Sequence, residues 1–175
     1  MKYIIETSRL RLRHIMHDDF PELCKILQNI DVMYAWEHAF TDNEVMEWIE
    51  KNIERYKKDG YSYFLAIEKA NNQIVGLIGP LVEDIESESH IGVAYILNKE
   101  HWHKGYAVEG VKASIDYAFK TLGAEKVIAQ IRPENINSRK VAEKLGMIVE
   151  GEYIKYYKGK EMPHLIYSIK KDTKI

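Results

Sequence analysis

Hydrophobic and polar residues recur at regular spacings in the first part of the chain. Leucines and arginines alternate through 9–13, which is the pattern of a strand with one buried face. An acidic pair just before Pro21 is typical of a helix start. Thr41 followed by Glu44 has the spacing of a capping box and predicts a second helix that runs to about Lys58.

The middle of the chain is predicted to be rich in strands. The aromatic and apolar segments 61–67 and 73–78, joined by Asn71-Asn72, predict a β-hairpin. The acidic segment 83–88 is predicted to be a loop. The mostly apolar segment 90–97 then predicts a further strand.

A helical spacing of apolar residues begins at Gly105 and continues to Leu122, which predicts a long amphipathic helix. Gly123 is a suitable end for this helix. The remaining predicted elements are a buried strand at 126–131, a short helix that ends at Gly146, and strands around 147–153 and 164–170.

The predicted order of elements is therefore β-α-α-β-β-β-α-β-α-β-β. The strand–helix–strand unit from His90 to Ile131 predicts a parallel strand pair with a crossover helix, whereas the earlier hairpin predicts an antiparallel part. An α/β (α+β) fold follows, with a mixed sheet and helices on its faces. No linker or composition shift divides the sequence, so we expect residues 1–175 to form a single domain.

Composition and charge narrow the classes of function. A formal net charge of −2 gives no general attraction to nucleic acid or to an anionic membrane. Cys24 is the only cysteine, so an internal disulfide and a cysteine-based metal cluster are excluded. No segment approaches the ~20 apolar residues of a membrane span, and the charged N-terminus does not look like a signal peptide. We predict a soluble, cytoplasmic protein that binds neither nucleic acid nor membrane.

The turn 102–107 is the first candidate for a binding site. It joins the strand that ends at Leu97 to the long helix. Gly105 and Ala107 allow a ligand to approach the backbone closely, and Lys104 adds a mobile cation. The free N–H groups of a first helical turn suit a phosphate or pyrophosphate. By itself this pattern fits a plain connection equally well.

A second segment favours the binding site. Asn135 and Ser138 stand at the positions of an N-x-x-S motif, and 144–147 read K-L-G-M. With the W-H-K-G-Y-A turn, these residues resemble the GNAT acetyltransferase superfamily, in which a Q/R-x-x-G-x-G/A turn binds the acetyl-CoA pyrophosphate. Trp102, in place of the first Gln/Arg, resembles the branch that acetylates the N-termini of ribosomal proteins. The opening E-T-S-R-L-R-L-R at 6–13 is similar to that branch as well.

The resemblance implies a mostly antiparallel central sheet with a V-shaped split between two parallel strands, which end at Leu97 and Ile131. It also implies that acetyl-CoA is the acyl donor and that its pantetheine arm binds main-chain groups of the first of these strands. The residues that the resemblance assigns to acetyl-CoA are Tyr95, Ile96, Leu97, Trp102, His103, Lys104, Gly105, Tyr106, Ala107, Val108, Asn135 and Ser138.

Direct attack of an amine on the thioester requires a proton acceptor and a proton donor. His90 is the candidate base, because it stands where related enzymes often have Glu and because histidine titrates near pH ~6.5. The alternative is a strand-edge histidine without a catalytic role. Ser138 is the candidate acid, although its hydroxyl could equally cap the next helix. Tyrosines 153, 156 and 157 lie near the general-acid Tyr of other branches.

The acceptor is left open between a protein N-terminus and a small-molecule amine. Alternatives are an antibiotic or polyamine acetyltransferase and a catalytically silent acyl-CoA-binding regulatory module. A homodimer is also left open. No metal site is predicted, because His101 and His103 have no further ligand nearby in the sequence.

Three residues pose separate questions. Gly92 suits either a β-bulge or close packing against a neighbouring side chain. Met147 replaces the usual Phe of the family. His164 stands where the branch often has Asp, so a substrate contact made by that Asp is in doubt.

Overall fold

The computed structural model describes residues 2–172. Its helices and strands are β1 (Ile5–Glu6), β2 (Leu10–Arg13), α1 (Phe20–Leu27), α2 (Asp42–Lys58), β3 (Phe64–Glu68), β4 (Ile74–Ile85), β5 (Glu88–Leu97), α3 (Tyr106–Lys120), β6 (Lys126–Ile131), α4 (Ile136–Lys144), β7 (Ile148–Tyr157) and β8 (Lys160–Lys170). The predicted order of elements is confirmed, with the first strand divided into β1 and β2.

All eight strands form one sheet in the order β1-β2-β3-β4-β5-β6-β8-β7. Every neighbouring pair is antiparallel except β5 and β6, which are parallel and are joined through α3. The mixed, mostly antiparallel sheet predicted from the sequence is therefore confirmed.

Helices cover both faces of this sheet. Successive residues of a strand point to opposite faces, so each strand contributes side chains to two cores. In β3, Ala66 belongs to the core beneath α3 and α4, and Leu65 to the core beneath α1 and α2. Ile115 of α3 and Ile49 of α2 are fully buried in these two cores. Burial of one such side chain contributes about 1.5–3 kcal/mol.

Side chains at the helix starts explain where α2 and α4 begin. The predicted capping box of α2 is confirmed, with reciprocal hydrogen bonds between Thr41 and Glu44. In α4, the Oδ1 atom of Asn135 accepts the main-chain N–H of Ser138 at 3.2 Å. The expectation that the Ser138 hydroxyl caps this helix is therefore wrong, because Asn135 already fills that position.

The acidic segment 83–88 is not a loop, contrary to the prediction. β4 extends to Ile85 and pairs with β5 in a long hairpin, with only Glu86 and Ser87 in the turn. Acidic residues obscured the strand pattern because the side chain of Glu83 points into the molecule. Its burial requires contacts from strands that are distant in sequence.

The sheet splits between its two parallel strands. The register places Gly92 of β5 opposite Ile128 of β6, and no further pair of these strands is in register. Beyond that point β5 continues to Leu97 and β6 to Ile131 with a cavity between them. The predicted V-shaped opening is confirmed. Within residues 2–172, no helix has both the length and the apolar character needed to cross a membrane.

Candidate active site

Two adjoining cavities open from the split. The turn cavity, of about 310 Å³, lies between the end of β5, the turn before α3 and the start of α4. The split cavity, of about 180 Å³, lies between the diverging parts of β5 and β6. Tyr95, Asn135 and Ser138 line both cavities, so the two meet at these residues.

The turn cavity gathers most of the residues that the sequence assigned to a cofactor. Lys104 is the exception, since its side chain is not among the residues that line the cavity. The residues brought together are Tyr95, Ile96, Leu97, Trp102, His103, Gly105, Tyr106, Ala107, Val108, Asn135 and Ser138.

Backbone conformation shapes the turn at the start of α3. Gly105 is the N-cap residue and has φ +82°, a left-handed conformation that favours glycine. No side chain caps the helix there. The first-turn N–H groups of α3 therefore lie beside a cavity without an internal partner, which is the arrangement that binds an anion.

Residues from the start of the chain hold this turn from outside. Arg9 donates hydrogen bonds from Nε to the Glu109 carboxylate at 2.7 Å and from Nη1 to the Lys104 carbonyl at 3.0 Å. The Thr7 hydroxyl also donates to Glu109, at 2.5 Å. Burial disfavours the ionised form of Glu109, but the hydrogen bonds from Thr7 and Arg9 outweigh it, so the pKa of this carboxyl is lowered. The opening segment therefore holds the start of α3, next to the turn cavity.

Two aromatic side chains connect the turn to β5. The indole N–H of Trp102 donates to the Leu97 carbonyl at 3.1 Å. His101 is 4% exposed and packs edge-on against Tyr106. Its buried Nδ1 has no hydrogen-bond partner among residues 2–172.

The two cavities meet at a hydrogen bond. The Tyr95 hydroxyl lies 2.9 Å from the Ser138 Oγ. Burial raises the pKa of Tyr95, although its bond to Ser138 acts in the opposite direction, so the phenol remains protonated near neutral pH. The sequence pointed to Tyr95 only for its main chain. Its hydroxyl was missed because the partner lies 43 residues away.

Glu83 enters the split cavity from β4. Its Oε2 accepts a hydrogen bond at 2.8 Å from Nε2 of Gln130, and Oε1 of Gln130 accepts one from the Tyr153 hydroxyl. Burial raises the pKa of Glu83, and three nearby cations only partly offset it. A half-buried carboxyl with a perturbed pKa in a cavity is typical of a functional group.

Gly92 provides the space for this carboxylate. A Cβ atom at Gly92 would lie 2.5 Å from Cγ of Glu83 and 3.2 Å from the Ile128 carbonyl oxygen. The β4–β5 register passes Gly92 without a shift. Of the two explanations open from the sequence, close packing is confirmed and the bulge is wrong.

Other polar residues line the split cavity. The Nδ1–H of His164 donates to the Met162 carbonyl at 2.8 Å, and burial lowers the pKa of its ring. The guanidinium of Arg132 is paired with Glu134 at 2.6 Å. The exposed Lys155 also lines the cavity. His164 therefore lies at the cavity wall, within β8 rather than before it.

His90 lies elsewhere. It is at the closed end of the split, two residues before Gly92, and its ring Nε2 is 3.7 Å from Glu88. It is not among the residues that line either cavity. Its predicted role as the base remains a prediction without support from the cavity geometry. Among residues 2–172, no group of three metal-ligating side chains is found.

Residues 9–148 match a family model described as the acetyltransferase (GNAT) domain. The uncharacterised N-acetyltransferase YnaD of Bacillus subtilis (strain 168) is 30% identical over 152 residues, which cover 86% of each chain. The chain therefore belongs to the GNAT acetyltransferase family and to the class of acetyl-CoA-dependent acyltransferases.

Solved structures agree with this assignment. A GNAT-family acetyltransferase from Bacillus anthracis has a TM-score of 0.81 and 27% identity, covering 97% of this chain and 99% of its own. A putative ribosomal-protein-serine acetyltransferase from Vibrio cholerae has a TM-score of 0.80 at 22% identity, covering 95% and 96%. The second likeness concerns the fold alone.

Proposed function

We propose that this protein transfers the acetyl group of acetyl-CoA to a primary amine by direct attack. The observation that carries the proposal is the Tyr95–Ser138 hydrogen bond, located where the turn cavity and the split cavity meet. A donor in one cavity and an acceptor in the other would place their reacting atoms at this pair. Such positioning supplies much of the rate enhancement in a two-substrate reaction.

The turn cavity fits acetyl-CoA. First-turn N–H groups after Gly105 would bind the pyrophosphate. The edge of β5 that faces β6 is unpaired in register beyond Gly92, so its main-chain groups could hold the pantetheine arm. When bound, acetyl-CoA supplies the activated thioester carbonyl.

The chain must then manage two protons of the acceptor ammonium. One proton goes to a base and then to solvent, and the other ends on the departing sulfur. We propose the Ser138 hydroxyl, hydrogen-bonded to Tyr95, as the group that protonates this sulfur. The thiol is about as acidic as free cysteine, near pKa ~8.5, so only modest assistance is required. The candidates for the base are His90, which the sequence predicts but which lines neither cavity, and Glu83, which lines the split cavity.

The acceptor is an amine of a peptide N-terminus or of a small molecule. The size of the split cavity, about 180 Å³, suits the end of an extended chain better than a large rigid ring system. We also propose that the protein works in the cytoplasm without nucleic acid, which its net charge of −2 and single cysteine support.

Thiol release in the presence of acetyl-CoA and a panel of amines tests the proposal. We expect release that depends on both substrates, together with an acetylated product in the mass spectrum. Binding of acetyl-CoA should also raise the melting temperature, by linkage. Acetyl-CoA binding without thiol release for any amine would instead support a silent binding module.

A further inference from the structure

A group of basic side chains at the split cavity lacks acidic partners. Lys51, Arg55 and Lys155 form no ion pair with any residue of 2–172. By contrast, Lys158 is bound to Glu44 and Lys160 to Glu37, both at 2.8 Å. We call Lys51, Arg55 and Lys155 the basic cluster.

The basic cluster lies beside the cavity on two elements. Lys155 of β7 lines the split cavity. On α2, Trp48 packs against Tyr63, which lines the split cavity, and the centroids of the two rings are 5.2 Å apart. Lys51 follows Trp48 by three residues, so both are on the same side of the helix, and Arg55 follows Lys51 by four. Helix α2 therefore carries two cations on the face that packs against the cavity wall, although neither of them lines the cavity itself.

The three cations influence one another. Burial lowers the pKa of Lys51, and the like charges of Arg55 and Lys155 lower it further. Glu83 is the one nearby anion that acts against this effect, and it is also the one carboxylate among the residues that line the split cavity. Two carboxylates, Glu83 and its neighbour Asp84, face the three cations, so this part of the site keeps a positive charge that an anionic group of a ligand would neutralise.

We propose that the acceptor is an amine that also carries an anionic group, a carboxylate or a phosphate. Its ammonium binds at Glu83, which Gln130 and Gly92 hold in place, and its anion binds at the basic cluster. This inference rests on the proposed acetyl transfer and specifies its acceptor. A polyamine is the opposite case, because its additional positive charges would face the three cations.

The proton step follows from this placement. The Glu83 carboxylate takes one proton from the acceptor ammonium, which leaves a neutral amine with a free electron pair. That pair forms the new C–N bond while the C–S bond of the thioester breaks and its electrons remain on sulfur. The second amine proton ends on sulfur through the Tyr95–Ser138 pair, and Glu83 returns its proton to solvent. Charge and atoms balance without any further reactant.

Matched acceptors test the inference. Thiol release is measured with dipeptide amides that differ in one charge, Gly-Asp-NH2 against Gly-Asn-NH2, and with phosphoethanolamine against ethanolamine and spermidine. We expect the charged member of each pair to have a kcat/KM about tenfold higher, an advantage that decreases at high salt. Equal rates within both pairs, or spermidine as the best acceptor, would overturn the inference while leaving acetyl transfer intact. Failure of every acceptor would refute the proposed function itself.

Variants separate the two parts of the proposed acceptor site. Lys51→Gln and Lys155→Gln should raise KM for the anionic acceptors several-fold and leave KM for their neutral counterparts unchanged. Lys57→Gln removes the same charge from the side of α2 opposite Trp48 and should leave the preference intact. If Lys57→Gln reduces the preference as much as Lys51→Gln does, the effect is one of overall charge and the basic cluster is not the anion site.

Glu83→Gln tests the ammonium end. It should lower kcat about 100-fold, the typical size of a lost general base, while the preference for an anionic acceptor persists. The acidic limb of the kcat/KM pH profile should be absent in Glu83→Gln. If Glu83→Gln has the same kcat and the same pH profile as the wild type, Glu83 takes no part in the reaction. His90→Ala tests the base that the sequence predicts. Loss of turnover and of the acidic limb in His90→Ala, with both retained in Glu83→Gln, would overturn the role of Glu83.

Discussion

At the scale of single residues, the site depends on a glycine that accommodates a carboxylate. The side chain of Glu83 crosses β5 at Gly92, where any Cβ would collide with it, and reaches Gln130 on the far side of the split. Burying a carboxylate is costly unless it is hydrogen-bonded. The folded protein is therefore less stable than it would be without the Glu83 carboxylate, which we propose as the proton acceptor inside the cavity.

The pH dependence of stability should reveal this cost. The charged groups near Glu83 are Lys51 and Arg55 of α2, Lys155 of β7 and Asp84 of its own strand, and burial outweighs their combined effect, so its pKa is raised. A raised carboxyl pKa penalises the folded state above that pKa, and the penalty disappears as the pH falls through it. Glu83→Gln should therefore raise Tm by a few degrees at pH 8 and by less at pH 5.

Thermal melts at the two pH values measure this difference, with Glu86→Gln in the exposed β4–β5 turn as the control. A Tm gain for Glu83→Gln that is larger at pH 5 than at pH 8 would contradict the raised pKa.

The Tyr95–Ser138 pair provides a second prediction for single residues. Tyr95→Phe and Ser138→Ala each remove one partner of the 2.9 Å hydrogen bond at the junction of the cavities. We expect kcat to fall roughly 10- to 100-fold in each, with little change in KM for acetyl-CoA. Asn137 lines only the turn cavity, so Asn137→Ala is the control variant, and its kcat should stay close to that of the wild type. A change confined to KM would indicate a binding role for the pair.

At the scale of elements, the start of α3 depends on the start of the chain. Thr7 and Arg9 bind Glu109 and the Lys104 carbonyl from about 100 residues away, which fixes the turn that faces the cavity. The ring of Tyr106 lies 4.2 Å below the Arg9 guanidinium and adds a cation–π contact. The turn is therefore rigid before any ligand binds, which lowers the cost of binding.

Glu109→Gln should weaken this connection. It removes charge from hydrogen bonds to Thr7 and Arg9 and should cost about 1–3 kcal/mol of unfolding free energy, together with several-fold weaker acetyl-CoA binding. Because the Glu109 pKa is lowered in the fold, its stabilising effect is present above the unfolded-state pKa and is lost as the pH falls through the folded value.

Chemical denaturation at pH 7 and calorimetric titration with acetyl-CoA measure both effects of this variant. Glu6→Gln, an exposed carboxylate in the same opening segment, should change neither. Equal losses from the two variants would show that Glu109 has no special part in shaping the turn.

At the scale of the whole molecule, some features could be predicted from residues that are close in the sequence. The order of elements, the capping box at Thr41 and the turn at Gly105 follow from spacings within a few residues. The split between β5 and β6, and the gathering of the turn residues around one cavity, were reached through the resemblance of several motifs taken together.

Features that depend on pairing between distant strands could not be predicted in this way. Glu83 was predicted to lie in a loop, because its contacts with Gln130 and Gly92 come from strands that its local sequence does not reveal. The hydroxyl of Tyr95 acquires its role from Ser138 on another helix. Sequence spacing does not show which side chains meet across a sheet, so the donor side was predictable and the acceptor side was not.

The central claim is that acetyl transfer takes place where the two cavities meet. Mass spectrometry of an amine panel incubated with acetyl-CoA and wild-type protein tests it most directly, with Ser138→Ala in parallel. We expect acetylated product with the wild-type protein and a much slower appearance of the same product with Ser138→Ala. Absence of any acetylated amine, or identical rates for the two proteins, would contradict it.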